Sequence, residues 1–374
     1  MTSYNIGFVG TGSDPENPDE TGFAMAYRHA KAYQEHPDCR LEACADIVPE
    51  NAEAFSDTFE IADDEVYEDY EKMLTEAEPD IVSVCVPPAI HADIVLGCIR
   101  SGVPDAVHCE KPMADTWDDC RQMVEEAAET GIQLTFNHQR RFGEPFLKAK
   151  ELLDDGAIGE LQRVEFTAAN VFDYGSHSFD LCNYFNDEAE PEWVIGQIDY
   201  SEQNILFGAH NENQAVVHWQ YENGVHGFAA TGQGTETELV DCHNRLVGTD
   251  GVIEIGVGFC GDHRGPTLRV KRNGSAGWET IETEEDIHGQ KDIAGFGKGQ
   301  VVHDRAIANV VGGLDGEEPS VLSGENALRS TGLIFGCWES ARRRGRVEFP
   351  LDIDDNPLDA MVETGEMNPT SAKK

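Results

Sequence analysis

Val107-His108-Cys109-Glu110-Lys111-Pro112 places an ammonium group at the end of a short apolar run, between a carboxylate and a proline. If the run is a buried strand, Lys111 stands at its carboxyl end, where open α/β sheets bind ligands. An ammonium in such a crevice loses hydration, its pKa falls, and it can share a proton with a substrate hydroxyl. A lysine at a strand end also fits an ordinary surface position. A second feature opens the chain: Asn5-Ile6-Gly7-Phe8-Val9-Gly10-Thr11-Gly12 is an apolar strand running into a Gly-x-Gly turn. Gly10 permits the tight turn, and Gly12, beyond Thr11, lets backbone approach a pyrophosphate. Ser13 to Thr21 then reads as an acidic, proline-containing insertion, so the third small residue is Gly22 or, preferably, Ala26 in Ala26-Tyr27-Arg28-His29-Ala30. A Gly-rich turn without a ligand would look the same. Asp46 follows the second apolar run, Leu41-Glu42-Ala43-Cys44-Ala45, where a carboxylate can accept both ribose hydroxyls and would repel a 2′-phosphate. NAD is favoured over NADP on that ground, and Ile47 offers a phosphate no cation. Asp46 also fits a helix cap ahead of Pro49.

These groups can act only if the elements around them end together. Up to about residue 138, short β-branched or apolar runs alternate with longer amphipathic segments, the pattern of a parallel sheet with crossover helices. The predicted strands are Asn5 to Val9, Leu41 to Ala45, Ile81 to Val86, Ala106 to Cys109 and Gln133 to Asn137. The predicted helices lie near Phe23 to Glu35, Pro49 to Thr58, Tyr70 to Thr75, Ala89 to Ser101 and Thr116 to Thr130. This is a doubly wound N-terminal domain, residues 1–140. After a helix at Glu144 to Leu153 the rhythm changes to longer alternating segments separated by turns such as Glu222-Asn223-Gly224 and Arg272-Asn273-Gly274, as in antiparallel hairpins. Residues 141–355 are therefore read as a second α/β domain, an open sheet backed by helices at His303 to Gly312 and Gly324 to Arg343. Residues 356–374 read as a polar, mobile tail.

The 374 residues include 40% hydrophobic side chains, enough for two cores, and 27 basic against 71 acidic residues, a formal charge of −44. That charge repels phosphate backbones and anionic headgroups, which argues against nucleic-acid and membrane partners. The acid is spread along the chain, consistent with a surface adapted to high salt and hence a salt-loving source. The N-terminus has no basic segment or apolar stretch of signal-peptide length, no run approaches a membrane span, and the cysteines form no C-x-x-C pair. A cytoplasmic protein with reduced thiols is expected. His108, His138, His210 and His243 lack metal-ligand spacing, and no metal is expected.

Taken together, the Gly-x-Gly strand, Asp46, Val86-Pro87-Pro88-Ala89-Ile90-His91, Glu110-Lys111-Pro112 and Asn137-His138-Gln139-Arg140-Arg141-Phe142 resemble the Gfo/Idh/MocA family, the glucose-fructose oxidoreductase and inositol dehydrogenase group. The resemblance runs on through Gly248-Thr249-Asp250-Gly251 to Ser340-Ala341-Arg342-Arg343-Arg344-Gly345-Arg346-Val347. It implies a Rossmann domain followed by an α/β domain with a large, mostly antiparallel sheet. It also implies a second active-site motif, Asp-x-x-x-His, matched by Asp173-Tyr174-Gly175-Ser176-His177. On that resemblance His177 is the base that removes a hydroxyl proton, Asp173 orients the substrate or the imidazole, and Lys111 polarises the same oxygen. Imidazole, with an ordinary pKa of about 6.5, suits that base role better than an unperturbed lysine at about 10.4. Pro87 and His91 are implied at the nicotinamide end and Glu110 at the cofactor ribose, while Asn137, Arg141 and Tyr174 are candidate substrate contacts. The implied activity is NAD-dependent oxidation of a secondary hydroxyl on a sugar or inositol, or the reverse, by a homo-dimer or homo-tetramer. The family's NAD-dependent glycosidases and cofactor sensors remain alternatives. The insertion after Gly12, Val86 where a hydroxyl residue is common and Pro88 where Asn is common depart from the pattern.

Overall fold

The computed structural model describes residues 3–12, 24–232, 240–258, 265–289, 299–316 and 318–371. The insertion Ser13 to Thr21 and most of the loop from Gly232 to His243 lie outside them. The chain forms two compact units, one of Met1–Gln139, Phe207–Ala209 and Gln300–Leu328, the other of Arg140–Leu206, His210–Gly299 and Arg329–Lys374.

In the first unit, strands β1 (Tyr4–Val9), β2 (Cys39–Ala45), β3 (Val66–Tyr67), β4 (Ile81–Val84), β5 (Ala106–Cys109) and β6 (Gln133–Phe136) alternate with helices α1 (Met25–Glu35), α2 (Pro49–Phe59), α3 (Tyr70–Ala77), α4 (His91–Ser101) and α5 (Trp117–Thr130). The six strands pair in parallel in the order β3-β2-β1-β4-β5-β6. The order reverses between β1 and β4, so a crevice opens outside their carboxyl ends, and the Gly turn leaves β1 there. Strand β3 was not expected; two residues are too few to show a period. The core joins Ile6 and Phe8 of β1, Ala30 and Tyr33 of α1 and Phe55 of α2 with Ile307 and Val311. Those last two lie on the helix Gln300–Leu314, which the sequence reading had placed in the second domain. Periodicity shows that this helix has an apolar face but not which core covers it.

The second unit is built on a nine-stranded sheet in the order Glu279–Thr280, Leu268–Arg272, Gly251–Val257, Cys242–Gly248, Leu161–Ala168, His226–Gly232, Gln214–Tyr221, Pro191–Asp199 and Val347–Glu348. Leu161–Ala168 runs parallel to His226–Gly232, and the other pairings are antiparallel. Alternating burial along Gln214–Tyr221 turns Val217, Trp219 and Tyr221 inward and leaves Val216 and His218 outside. The inward face is covered by the buried helix α7 (Gly175–Phe185), where Phe179 packs edge-on against Phe166 and at a tilt against Trp219, with ring centroids 4.8 and 5.2 Å apart. A further helix, α6 (Glu144–Asp154), precedes the sheet.

The C-terminal segment is not a featureless tail. Pro357–Glu363 is a helix whose N-cap, Asn356, accepts from the amides of Leu358 and Asp359, and Leu358 and Met361 are buried. Composition hid this because polar residues surround a short apolar stripe, while the cap and the proline at the first turn specify a helix start.

Candidate active site

The turn after β1 has the strain its glycines allow. Gly10 has φ +82°, and a Cβ there would lie 2.5 Å from Val86 Cγ1 and 3.0 Å from the carbonyl oxygen of Cys85. Asp46 closes the turn: its Oδ2 accepts from the Thr11 amide at 2.8 Å, the Thr11 hydroxyl at 3.0 Å and the Gly12 amide at 3.1 Å. Its Oδ1 accepts from the Val48 amide at 2.9 Å. The cap alternative is set aside, since the N-cap of α2 is Val48. Amides converging on one carboxylate oxygen form an anion-receptive nest of the kind that takes a pyrophosphate. With a carboxylate at the end of β2 and the exposed Ile47 beside it, these residues fit NAD. Ala26 lies in the first turn of α1 and is buried, a small side chain in the core.

Beneath Lys111 lies a buried polar cluster that only partly matches expectation. Glu110 Oε1 is 2.9 Å from His29 Nε2 and accepts from Asn137 Nδ2 at 2.5 Å, and its Oε2 accepts from the Lys111 amide at 3.3 Å. Both Glu110 oxygens thus meet groups of the first unit. Asn137 is also 2.9 Å from His29 Nε2 and is buried, so its assignment as a substrate contact is corrected to a strut between β6 and the Glu110 turn. His29 Nδ1 is 2.8 Å from Ser83 Oγ. Burial pulls the His29 proton off, but Cys85 and then Glu110 outweigh it and hold the imidazole protonated, up to about 10. Glu110, which burial alone would raise, is held below the usual carboxylate range by His29, Asn137 and Lys111. His91 is corrected as well. Fully buried, its Nδ1 is 2.8 Å from the Pro112 carbonyl and its Nε2 2.8 Å from the Val86 carbonyl. It braces the turns after β4 and β5 and has no ring nitrogen left for a nicotinamide. Pro87, which caps the short turn Pro88–Ile90, lies beside one of those braces.

In the second unit Asp173 and Tyr174 immediately precede α7 and His177 lies in its first turn, four residues beyond Asp173. Gly175 is required there, since a Cβ would stand 2.6 Å from the carbonyl oxygen of Asn170. Two side chains hold the approach: the Asp173 amide donates to Asn211 Oδ1 at 3.2 Å and the Tyr174 amide to Asn170 Oδ1 at 3.0 Å. Glu212, next to Asn211 and wholly buried, accepts from the Val171 amide at 2.6 Å, Thr231 Oγ1 at 3.2 Å and Trp338 Nε1 at 3.2 Å. Burial raises its carboxyl to about 7 against those donors. Asp173 and His177 are themselves buried, whereas Tyr174 is 40% exposed. Arg141 is not a substrate contact: its guanidinium is buried, paired with both oxygens of Asp180 at 2.6 Å and with Glu188 at 2.5 Å. Its neighbour Arg140 donates instead to His243 at 2.9 Å and has its guanidinium carbon 5.9 Å from the Tyr174 ring centroid.

Of the residues not foreseen, His29 had a legible signal, because it shares a helical face with Ala26, Ala30 and Tyr33. Glu212 and Arg140 lie outside regular elements of useful length and had none. Among the described residues no group of three or more His, Cys, Asp or Glu could hold a metal, and no helix is long and apolar enough to cross a membrane.

A parallel doubly wound sheet with this turn and this carboxylate defines a dinucleotide-binding domain. Residues 21–138 match the Gfo/Idh/MocA oxidoreductase family, described by its NAD-binding Rossmann fold. The chain is 32% identical over 218 residues to the inositol 2-dehydrogenase of Rhizobium meliloti, covering 50% of this chain and 63% of that one. It is 32% identical over 133 residues to the D-glucoside 3-dehydrogenase of Escherichia coli, covering 36% and 37%. In neither case does the match reach two thirds of the relative's length. An NAD-binding oxidoreductase from Klebsiella pneumoniae superposes with a TM-score of 0.74 at 19% identity, over 94% of this chain and 100% of that one. The matching segment is thus similar to the NAD-binding Rossmann domain of the Gfo/Idh/MocA oxidoreductases.

Proposed function

We propose that the protein is an NAD-dependent dehydrogenase that oxidises a secondary hydroxyl of a sugar, sugar derivative or inositol, or runs the reverse reduction. The observation that carries this reading is the Asp173–His177 pair, fixed at the start of α7 by Asn211, Asn170 and the close approach of Gly175. Backbone fixed in this way holds both residues at the start of one helix, which suits proton transfer. NAD, when bound, supplies the hydride acceptor. His177 takes the proton of the substrate hydroxyl, Asp173 orients the imidazole or the sugar, and Lys111 donates to the hydroxyl oxygen. Tyr174, exposed next to Asp173 in the chain, adds a hydroxyl contact. Gly10, Thr11, Gly12 and Asp46 hold the dinucleotide, and Asp46 disfavours a 2′-phosphate. We place the homo-oligomer contact on the outer face of the nine-stranded sheet, where Ile195 and Val216 are 45% and 47% exposed.

The test mixes purified protein in molar salt with NAD and a panel of inositols, aldoses, uronates and amino sugars and follows absorbance of reduced nicotinamide. Wild-type protein should reduce NAD with at least one member, and His177→Ala should lower kcat about 10²–10⁴-fold, the usual size of a lost general base. Tight NAD binding with no reduction by any member would break the reading.

A further inference from the structure

We propose that the natural substrate is anionic, a polyol bearing a carboxylate or phosphate, and that Arg140 receives the negative group beside Tyr174. This rests on the dehydrogenase reading above and adds to it the charge class of the substrate.

Two adjacent arginines in the second unit meet opposite fates. Arg141 is buried and answered by the carboxylates of Asp180 and Glu188. Arg140, among the described residues, makes no ion pair; it donates one hydrogen bond, from Nη1 to His243 Nε2 at 2.9 Å. That acceptor is neutral. His243 Nδ1 is 2.5 Å from Asn244 Oδ1, an acceptor, which fixes the ring proton on Nδ1 and turns the Nε2 lone pair toward Arg140. Burial brings the Arg140 guanidinium down to about 10, which leaves it charged at neutral pH. A guanidinium presents five N–H donors in a fork suited to carboxylate or phosphate, and one imidazole nitrogen uses a single donor.

A half-buried cation without an ion-pair partner is costly and seldom kept without a role. Tyr174 and then Asp173 act on Arg140 through space. Tyr174 covers one side of the guanidinium while remaining 40% exposed, which keeps that corner open to a ligand. Tyr174 lies three residues before His177 on the same turn into α7, so an anion held at Arg140 would place a neighbouring carbinol near the proposed base. The formal charge of −44 opposes an anionic ligand at a distance. Screening confines that repulsion to about 8 Å at physiological ionic strength and about 3 Å at 1 M, so the charge at contact decides.

The experiment uses the full chain with NAD and matched substrates: a neutral aldose, the corresponding uronate and the corresponding sugar phosphate. The expected result is a kcat/KM at least tenfold higher for one anionic member than for the neutral one, and the member preferred distinguishes carboxylate from phosphate. Arg140→Met should lower that anionic-to-neutral ratio about 10–100-fold, mainly through KM, the size of a lost charged hydrogen bond. Arg140→Lys should recover part of it. The wild-type ratio needs no variant and stands even if a variant fails to fold. Equal or faster turnover of the neutral sugar by wild type, or an unchanged ratio in folded Arg140→Met, would overturn the proposal. Calorimetric binding of the same sugars to the NAD complex separates the two readings. Anion preference without reduced nicotinamide breaks the dehydrogenase reading alone, and reduction without anion preference breaks this one alone.

Discussion

His29 in the first unit and His243 in the second are the same residue, each without exposed surface, yet the fold holds one charged and the other neutral. Burial pushes both toward the neutral form. Around His29, Cys85 and Glu110 reverse the push and hold it protonated up to about 10, while around His243 the Arg140 cation adds to it and takes the group down to about 3. Burial sets the size of the energies, and the sign of the nearest charge sets the protonation state. The same logic extends to His303, taken down to about 3 by burial and then by the charge on His29.

The largest effect expected from breaking this contrast is on stability. Glu110→Gln or His29→Leu strands one charge inside the first unit and should destabilise by about 3–5 kcal/mol, read as a lower urea midpoint. The double variant should cost less than the sum of the two, because it removes both charges. A double variant as costly as the sum would show that the two groups do not act as a pair.

Next comes pH. His29, raised in the folded state, contributes stability that is complete below its unfolded pKa near 6.5 and is lost as pH rises toward about 10. His243 and His303, lowered, act in the other direction: the unfolded chain binds their protons first, so stability falls as pH drops from about 6.5 toward about 3. Glu110, lowered, adds to the acid loss below its ordinary range. Unfolding free energy should therefore peak near neutrality and decline on both sides, and Glu110→Gln should flatten the alkaline limb and remove the carboxylate's own share of the acid limb. An alkaline limb unchanged in that variant would remove Glu110 from the account of His29.

A smaller, local effect is predicted for Arg140→Met. With the guanidinium gone, the His243 pKa should rise from about 3, visible as a changed imidazole titration by NMR while His29 stays protonated. Smallest of all should be the response of these buried titrations to salt, since desolvated pairs are screened little. If the acidic surface is a high-salt adaptation, the Tm should meanwhile climb steeply between low and molar salt. A flat Tm would end the high-salt reading and leave the buried comparison standing.

The sequence alone determined what local chemistry can specify. Strand-to-glycine geometry located the dinucleotide turn because few residues other than glycine accept a φ of +82° against Val86 and Cys85. Helix and strand periods gave the two architectures, and the spacing of Asp173 and His177 put both at the start of one helix. Tertiary structure decided what depended on distant partners. Asn137, Arg141, Glu110 and His91 had the right side chains for ligand contact, but Asp180 and Glu188 occupy Arg141, Glu110 occupies Asn137, His29 pairs with Glu110, and two backbone carbonyls occupy His91. Arg140, which the sequence had not singled out, makes no ion pair among the described residues and gives one hydrogen bond, to His243. No pattern along the chain separates these adjacent arginines, because a charge is spent or free according to what folds against it, and those groups lie roughly 40 to 100 residues away.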